Sequence, residues 1–395
     1  MTRGIRVGLL RLAAVLGLGA ATMLTGCGEF FSPVNNGSGG GTGSTTYVYV
    51  TNVSTSGTGG TITAYSLTSG VLTALSGSPI TLSGTPNSIV VAPNNAFLYV
   101  GTDLGVFLYT IGTDGTLTEG NNSTVVYVGP TQPISVAVDS TSSWLLVADQ
   151  PTAGAPNTVE VDAIPVPPTT GIPPSQSAYS VTMTAAGVNQ MIMAPANNNL
   201  FLALGANGTE AIGFNAASTA TPFGSQVAIS PHNKGGVDSA VAVDPTSAYL
   251  YATEAPATAT TSAAANILRV IPVSNLSTDT TYQTGIGPSA ILADPTGAYV
   301  YVTNNNDNTI TGFSTTASTT SLTLAALSGS PFPTGKAPAG IAEDSTKSYI
   351  LEIGSGASPN LWLYNFDATT AGTLDIKATT STASTGGKTA IALSH

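Results

Sequence analysis

The stretch "ADPTGAYVYVTN" at residues 293–304 returns along the chain in altered spelling. It reads "VDPTSAYLYATE" at 243–254, "APNNAFLYVGTD" at 92–103, "VDSTSSWLLVAD" at 138–149 and "EDSTKSYILEIG" at 343–354. Aligning each copy on the residue after the Asp or Ala of its turn gives anchors at Pro93, Ser140, Pro195, Pro245, Pro295, Ser345 and Ser394. Successive spacings are 47, 55, 50, 50, 50 and 49. Self-similarity at a period of roughly 20–50 residues marks a repeat architecture, in which one supersecondary unit recurs and neighbours bury each other's faces.

Each copy holds the same parts. A short apolar strand such as "SIVVA" comes first. A turn follows, in which Pro presets φ at the second position and Asn or Gly tolerates the left-handed conformation. An alternating aromatic and β-branched strand such as "AYVYVT" comes next. A polar loop leads to a third strand ("GTITAYS", "NTITGFS", "LWLYNF"), and a G-x-LT turn often introduces a fourth. Four antiparallel strands per repeat make a propeller blade, and about four to eight such blades close into a ring.

Six copies are complete and the seventh is split between the two ends. "TAIALSH" at 389–395 is a first strand without a second, and "TTYVYVTN" at 45–52 is a second strand without a first. Joining them closes the ring and removes exposed sheet edges that would invite aggregation. The expected fold is all-β: a seven-bladed propeller of four-stranded antiparallel blades over residues 46–395, its terminal strands sharing one blade. A six- or eight-bladed ring is the alternative if the long stretch between Ser140 and Pro195 hides or merges a blade. The "IPVPPTTGIPP" segment at 164–174 within it reads as a surface excursion.

Composition agrees with a β protein. Charged residues are 7% of the chain and hydrophobic residues 42%, whereas long helices draw on Ala, Leu, Glu and Lys and disorder draws on charge. The net charge of −11 argues against nucleic acid as a partner, because phosphate backbones need Lys and Arg to neutralise them.

Residues 1–27 read as an address. Arg3, Arg6 and Arg11 precede the apolar run "LAAVLGLGAATMLTG", which ends at Cys27, the single cysteine. The sequence Leu24-Thr25-Gly26-Cys27 resembles the lipobox of bacterial lipoproteins, which implies an acylated Cys27 and a protein held at the cell envelope through its lipid. Gly28 after the cysteine leans towards the outer membrane. An ordinary signal peptide with an incidental cysteine is the plainer alternative. Residues 28–45 form a Gly/Ser-rich tether. Without the first 27 residues, six Lys/Arg face 20 Asp/Glu, a net −14. One cysteine makes no intrachain disulfide, so packing must hold the fold.

Catalytic signatures are missing from the sequence. It contains no G-x-S-x-G elbow, Walker loop, H-E-x-x-H or cysteine cluster. His232 reads as a solvated turn residue, and His395 as packing or exposed. The run "NNNDN" at 304–308 has one carboxylate and reads as a hairpin turn rather than a calcium loop. No metal or cofactor is expected. Asp238 and Asp244 fall at opposite ends of a strand and make a poor acid–base pair.

A propeller's usual site is the mouth of its channel, lined by residues just before each innermost strand. The candidates there are Asn87, Asn189, Gln190, Asp238, Ser239, Ser289 and Lys388. They are small, neutral and hydrogen-bonding, apart from one acid and one cation.

The "YVTN" strand, the "DPTG" turn and the G-x-LT turn resemble the YVTN/lactonase seven-bladed propellers, which include bacterial 6-phosphogluconolactonase. The resemblance spans residues 46–395. Active members resembling this chain carry His before the innermost strand of the third complete copy, Arg-His in the fourth, and Arg in the fifth and sixth. The matching positions here are Asn189, Ser239-Ala240, Ser289 and Ala339. Arg269, the single arginine after the signal segment, is expected on an outer strand away from the mouth. The reading is a monomeric, envelope-anchored propeller that binds protein, peptide or carbohydrate, without catalytic residues. The alternatives are a lactone hydrolase of the 6-phosphogluconolactonase type and a glycan-recognising envelope component.

Overall fold

The computed structural model describes residues 45–54, 56–150, 154–175, 179–196, 198–229, 236–256, 266–318, 321–356, 358–382 and 390–395. Within them the chain forms seven separate antiparallel sheets. The closing blade holds β1 (Thr45–Val53), β2 (Gly60–Thr68), β3 (Val71–Ala74) and β4 (Ile80–Leu82). Blade I runs β5 (Pro86–Val91), β6 (Phe97–Thr102), β7 (Gly105–Ile111) and β8 (Leu117–Glu119). Blade II runs β9 (Pro133–Val138), β10 (Trp144–Asp149), β11 (Thr158–Pro165) and β12 (Tyr179–Thr184). Blade III follows with β13 (Gln190–Met193), β14 (Asn199–Ala203), β15 (Thr209–Phe214) and β16 (Phe223–Ala228). Blade IV has β17 (Gly236–Val243), β18 (Tyr249–Pro256), β19 (Ile267–Pro272) and β20 (Thr280–Gln283). Blade V has β21 (Pro288–Ala293), β22 (Tyr299–Asn304), β23 (Thr309–Ala317), β24 (Leu322–Ala326) and β25 (Phe332–Pro333). Blade VI has β26 (Pro338–Glu343), β27 (Tyr349–Gly354), β28 (Leu361–Phe366) and β29 (Leu374–Thr380).

The last strand, β30 (Ala390–Leu393), pairs with β1, so the two ends share one blade as the sequence predicts. Its register puts Val48 opposite Leu393, one residue later than the sequence alignment on Ser394 implied. The innermost strands β30, β5, β9, β13, β17, β21 and β26 each contact the next, and β26 contacts β30. That ring is the seven-bladed form; the described residues between Ser140 and Pro195 form no further blade.

Why these residues form blades is visible in three devices. The first is the turn between the two inner strands. The carboxylate of Asp344 accepts backbone N–H groups of Thr346, Ser348 and Tyr349 at 2.6–3.1 Å, and Asp139, Asp244 and Asp294 cap their turns in the same way. The fourth turn residue takes positive φ, from 55° at Asn95 to 73° at Gly297. The second is packing between blades: apolar clusters join Leu351 and Ile353 of blade VI to Val48 and Val50 of the closing blade, and so on around the ring.

The third device is a tyrosine reaching across blades. Tyr49 Oη donates to the Gly115 carbonyl of blade I at 2.8 Å, and Tyr301 Oη to the Gly372 carbonyl of blade VI at 2.7 Å. Both acceptors are the glycine of a G-x-LT or G-x-LD turn, with φ of 79° and 78°. A Cβ on Gly372 would lie 2.4 Å from the Tyr299 ring, so nothing larger fits. Tyr99 finds its acceptor in the Pro-rich segment instead, donating to Gly171 at 2.9 Å. That segment is surface chain, but Val166 and Ile172 pack into the cluster of blades I and II, so it is a strap rather than a free excursion.

Candidate functional site

The end of the ring where the innermost strands begin is built on a repeated β-bulge. In blade I, Pro86 opposes Thr102 and Ser88 opposes Gly101, which leaves Asn87 unpaired and re-aimed. The same slip releases Ile134, Ser289 and Ala339, and in blade IV the pairing skips Ser239 and Ala240.

Side chains at this end stitch the ring. Asn87 Nδ2 donates to the Pro133 carbonyl of the next blade at 3.0 Å. Asn189 Nδ2 donates to the Asp238 carbonyl at 2.8 Å, Ser239 Oγ to the Pro288 carbonyl at 2.9 Å, and Ser289 Oγ to the Pro338 carbonyl at 2.7 Å. The following residue runs the opposite polarity. Ser88 Oγ accepts the Val136 N–H at 3.1 Å, Ser135 Oγ accepts that of Met191 at 3.0 Å, and Gln190 Oε1 that of Val241 at 2.9 Å. The structure thus brings Asn87, Asn189, Gln190, Ser239 and Ser289 to one end of the ring, each hydrogen-bonded to its neighbouring blade. Lys388, Cys27 and His232 lie outside the described residues.

Asp238, the third residue of β17, is fully buried. Thr209 Oγ1 donates to its Oδ2 at 2.5 Å, and Arg269 Nη1 lies 3.4 Å from the same oxygen. Arg269 does sit on the third strand of blade IV, but its side chain runs back across the sheet and is 1% exposed. Its guanidinium also lies 3.8 Å from Glu254 and 2.8 Å from Asp279. One cation therefore holds three carboxylates beside the bulge of blade IV, a link the expected outer-strand position had not implied.

Sequence reasoning missed two further acidic places. In blade II, Tyr127 Oη and Ser180 Oγ donate to Asp162 at 2.6 and 2.5 Å. Burial, together with Asp162 and Glu160, pushes the nearby Asp149 up to about 8, so it is largely neutral at pH 7. Glu343 and Glu352 of blade VI form the second place. Their signal was available, because they stand where the other copies carry apolar residues. His395 is half-buried, and the desolvation of its ring pulls it down to about 4, while its backbone pairs with the side chain of Asn95. Among the described residues no group of three or more His, Cys, Asp or Glu could hold a metal ion. A groove of about 300 Å³ on the closing blade is lined by Asn52, Ser54, Thr58, Thr61 and Thr81 with no charged side chain.

Seven blades in a ring, one of them closed by strands from both ends of the chain, with bulges where the innermost strands begin, define a seven-bladed propeller. The chain belongs to the family described as "Lactonase, 7-bladed beta-propeller", which matches residues 47–389. Among solved structures it is similar to the periplasmic gluconolactonase of Pseudomonas aeruginosa, at 14% identity and a TM-score of 0.64, covering 88% of this chain and 99% of that one. A putative 6-phosphogluconolactonase from Bacteroides fragilis gives 12% identity and a TM-score of 0.65, covering 89% and 98%. One from Bacteroides uniformis gives 14% and 0.64, covering 88% and 99%. No curated protein matches this sequence.

Proposed function

We propose that this chain is an envelope-anchored lactonase-family propeller that binds a protein, peptide or carbohydrate at the bulged end of its ring, and that it does not hydrolyse a phosphorylated lactone. One observation carries the reading. Asn189, Ser239 and Ser289 stand where the family resemblance implies His and Arg, and each is a short neutral side chain bonded to the next blade. Lactone hydrolysis needs a proton-transfer group and donors for a developing oxyanion. A phosphate adds a demand for Arg or Lys, whose charge-assisted contacts make its binding tight. Arg269 is buried among Asp238, Glu254 and Asp279 and has no free fork to offer. A net −14 without the first 27 residues repels a dianion as well.

The alternative, a lactone hydrolase, draws on the family membership and on Asp238, a carboxylate beside the bulge of blade IV. The two are separated by assay. The purified protein is expected to give no acceleration over spontaneous hydrolysis of 6-phosphogluconolactone. Turnover that disappears in Asp238→Ala or Lys388→Ala would establish the hydrolase instead.

Anchoring has its own test. Cys27→Ser is expected to move the protein from the membrane fraction to a soluble one or leave it unprocessed. Unchanged mass and fractionation would mean that Cys27 carries no lipid.

A further inference from the structure

Two carboxyls of blade VI break the repeat at the same junction. Glu343 ends β26 opposite Ile350, a place held by Val91, Val138, Met193, Val243, Ala293 and Leu393 in the other blades. Glu352 lies on β27 opposite Ile341, where the other blades carry Val50, Val100, Val147, Leu202, Ala252 and Val302. The fold asks for an apolar side chain at both places and receives one in all six other blades. Side chains two apart on a strand share a face, so both acids point the way Ile341 and Ile350 do. Those isoleucines pack with Leu292, Tyr299 and Tyr301 of blade V. Both carboxyls therefore enter one seam, between blades V and VI. They are diagonal neighbours on the ladder, a separation of about 7–8 Å between Cα atoms.

We propose that the seam between blades V and VI is a proton-dependent lock, tightest in acid and loosened as the pH rises, with Glu343 and Glu352 as its two titrating groups.

Glu352 is fully buried, and neither of its oxygens nor Glu343 Oε2 has a hydrogen-bond partner at normal distance among the described residues. Facing Glu343 are Asp294 and Tyr301 from blade V, with Asp344 and Lys347 from its own turn. Facing Glu352 are Tyr364 on β28 and the Gly335 backbone N–H from the loop between β25 and β26. Lys347 is the one cation among these groups. Burial, reinforced by Asp294 and Asp344, pushes Glu343 up to about 9, and burial pushes Glu352 up to about 8. An unfolded or opened Glu titrates near 4.3 (about the model-peptide value). Between that value and the folded ones, the closed seam holds protons that an opened seam releases. Opening then becomes easier by up to about tenfold per pH unit for each carboxyl, and levels off above the folded values.

The test is amide hydrogen exchange of the full chain between pH 5 and pH 9, with rates corrected for intrinsic chemistry. Protection of β26 and β27 is expected to fall at least about tenfold from pH 6 to pH 8, while β13 and β14 of blade III keep theirs. In Glu343→Gln/Glu352→Gln, which keeps the shape but cannot ionise, that fall should vanish. The same fall in the Gln variant, or equal loss in β13 and β14, overturns the proposal. A second variant, Glu343→Val/Glu352→Val, restores the residue type of the other blades and is expected to melt higher than the parent at pH 8. A lower melting temperature there also counts against the lock.

Discussion

Removing Ala390–His395 is expected to abolish cooperative folding at 37 °C, although the deletion takes only six residues. Those residues are the whole described inner strand of the closing blade. Four pairs, from Val48–Leu393 to Thr51–Ala390, hold β30 to β1. Outside the ladder, Tyr47 N donates to Ser394 Oγ and Ser394 N to the Tyr47 carbonyl, both at 2.8 Å. The deletion strips the cover from Val48 and Val50, which are fully buried, and removes Leu393 from its cluster. Losing one such leucine costs about 2–5 kcal/mol, and each net hydrogen bond adds about 1. The sum approaches the roughly 5–15 kcal/mol that holds an average domain together. It also leaves β1 as an open edge and both neighbouring innermost strands, β5 and β26, without their contact. Circular dichroism melts and size exclusion decide the matter. A sharp melt within a few degrees of the parent would mean that the ring stands without its clasp.

Arg269→Met is expected to destabilise the protein by about 3–5 kcal/mol, the usual penalty for stranding buried charge. Arg269 is 1% exposed, Asp238 fully buried and Glu254 2% exposed, so water cannot take the place of the lost cation. Asp238 keeps its Thr209 donor, but Glu254 and Asp279 lose a cation at 3.8 and 2.8 Å. Arg269→Lys keeps the charge without the planar fork and should recover part of the loss. Urea unfolding at neutral pH measures both. An Arg269→Met protein as stable as the parent would show that the three carboxylates are satisfied without the guanidinium.

The ring was legible because its determinants are local and recur. A turn aspartate, a glycine with positive φ and an alternating strand are each written in consecutive residues, and repetition at about 50 residues supplies the count. The clasp was legible because two incomplete copies need each other. The site was harder to read. Counting back from the anchors found Asn87, Asn189, Gln190, Ser239 and Ser289, but not that all five bond the next blade, nor that bulges re-aim Asn87, Ser239 and Ser289. Bulging depends on pairing between strands that no single stretch of sequence contains. Arg269 shows the same limit. Its position on β19 follows from sequence, whereas its partners come from β17, β18 and the approach to β20. Glu343 and Glu352 were readable in principle, since a column-by-column comparison of the copies exposes acids in apolar columns. Asp149 was not, because its column already holds Asn52, Thr102, Glu254 and Asn304.

The shared blade also fixes how the ring would carry a mechanical load. A pull on the chain ahead of Thr45 runs along β1, the second strand of its blade. β1 lies between β30 on one side and β2 on the other, in register over four and nine residue pairs. Tension along that strand loads both ladders in shear, so their hydrogen bonds resist together instead of being peeled one after another. The inner partner is itself secured at its C-terminal end, beside the start of β1, where Asn95 of blade I binds the backbone N–H and carbonyl of His395 at 2.9 and 2.7 Å. Force arriving at the start of the propeller is thereby passed to blade I through a strand from the other end of the sequence.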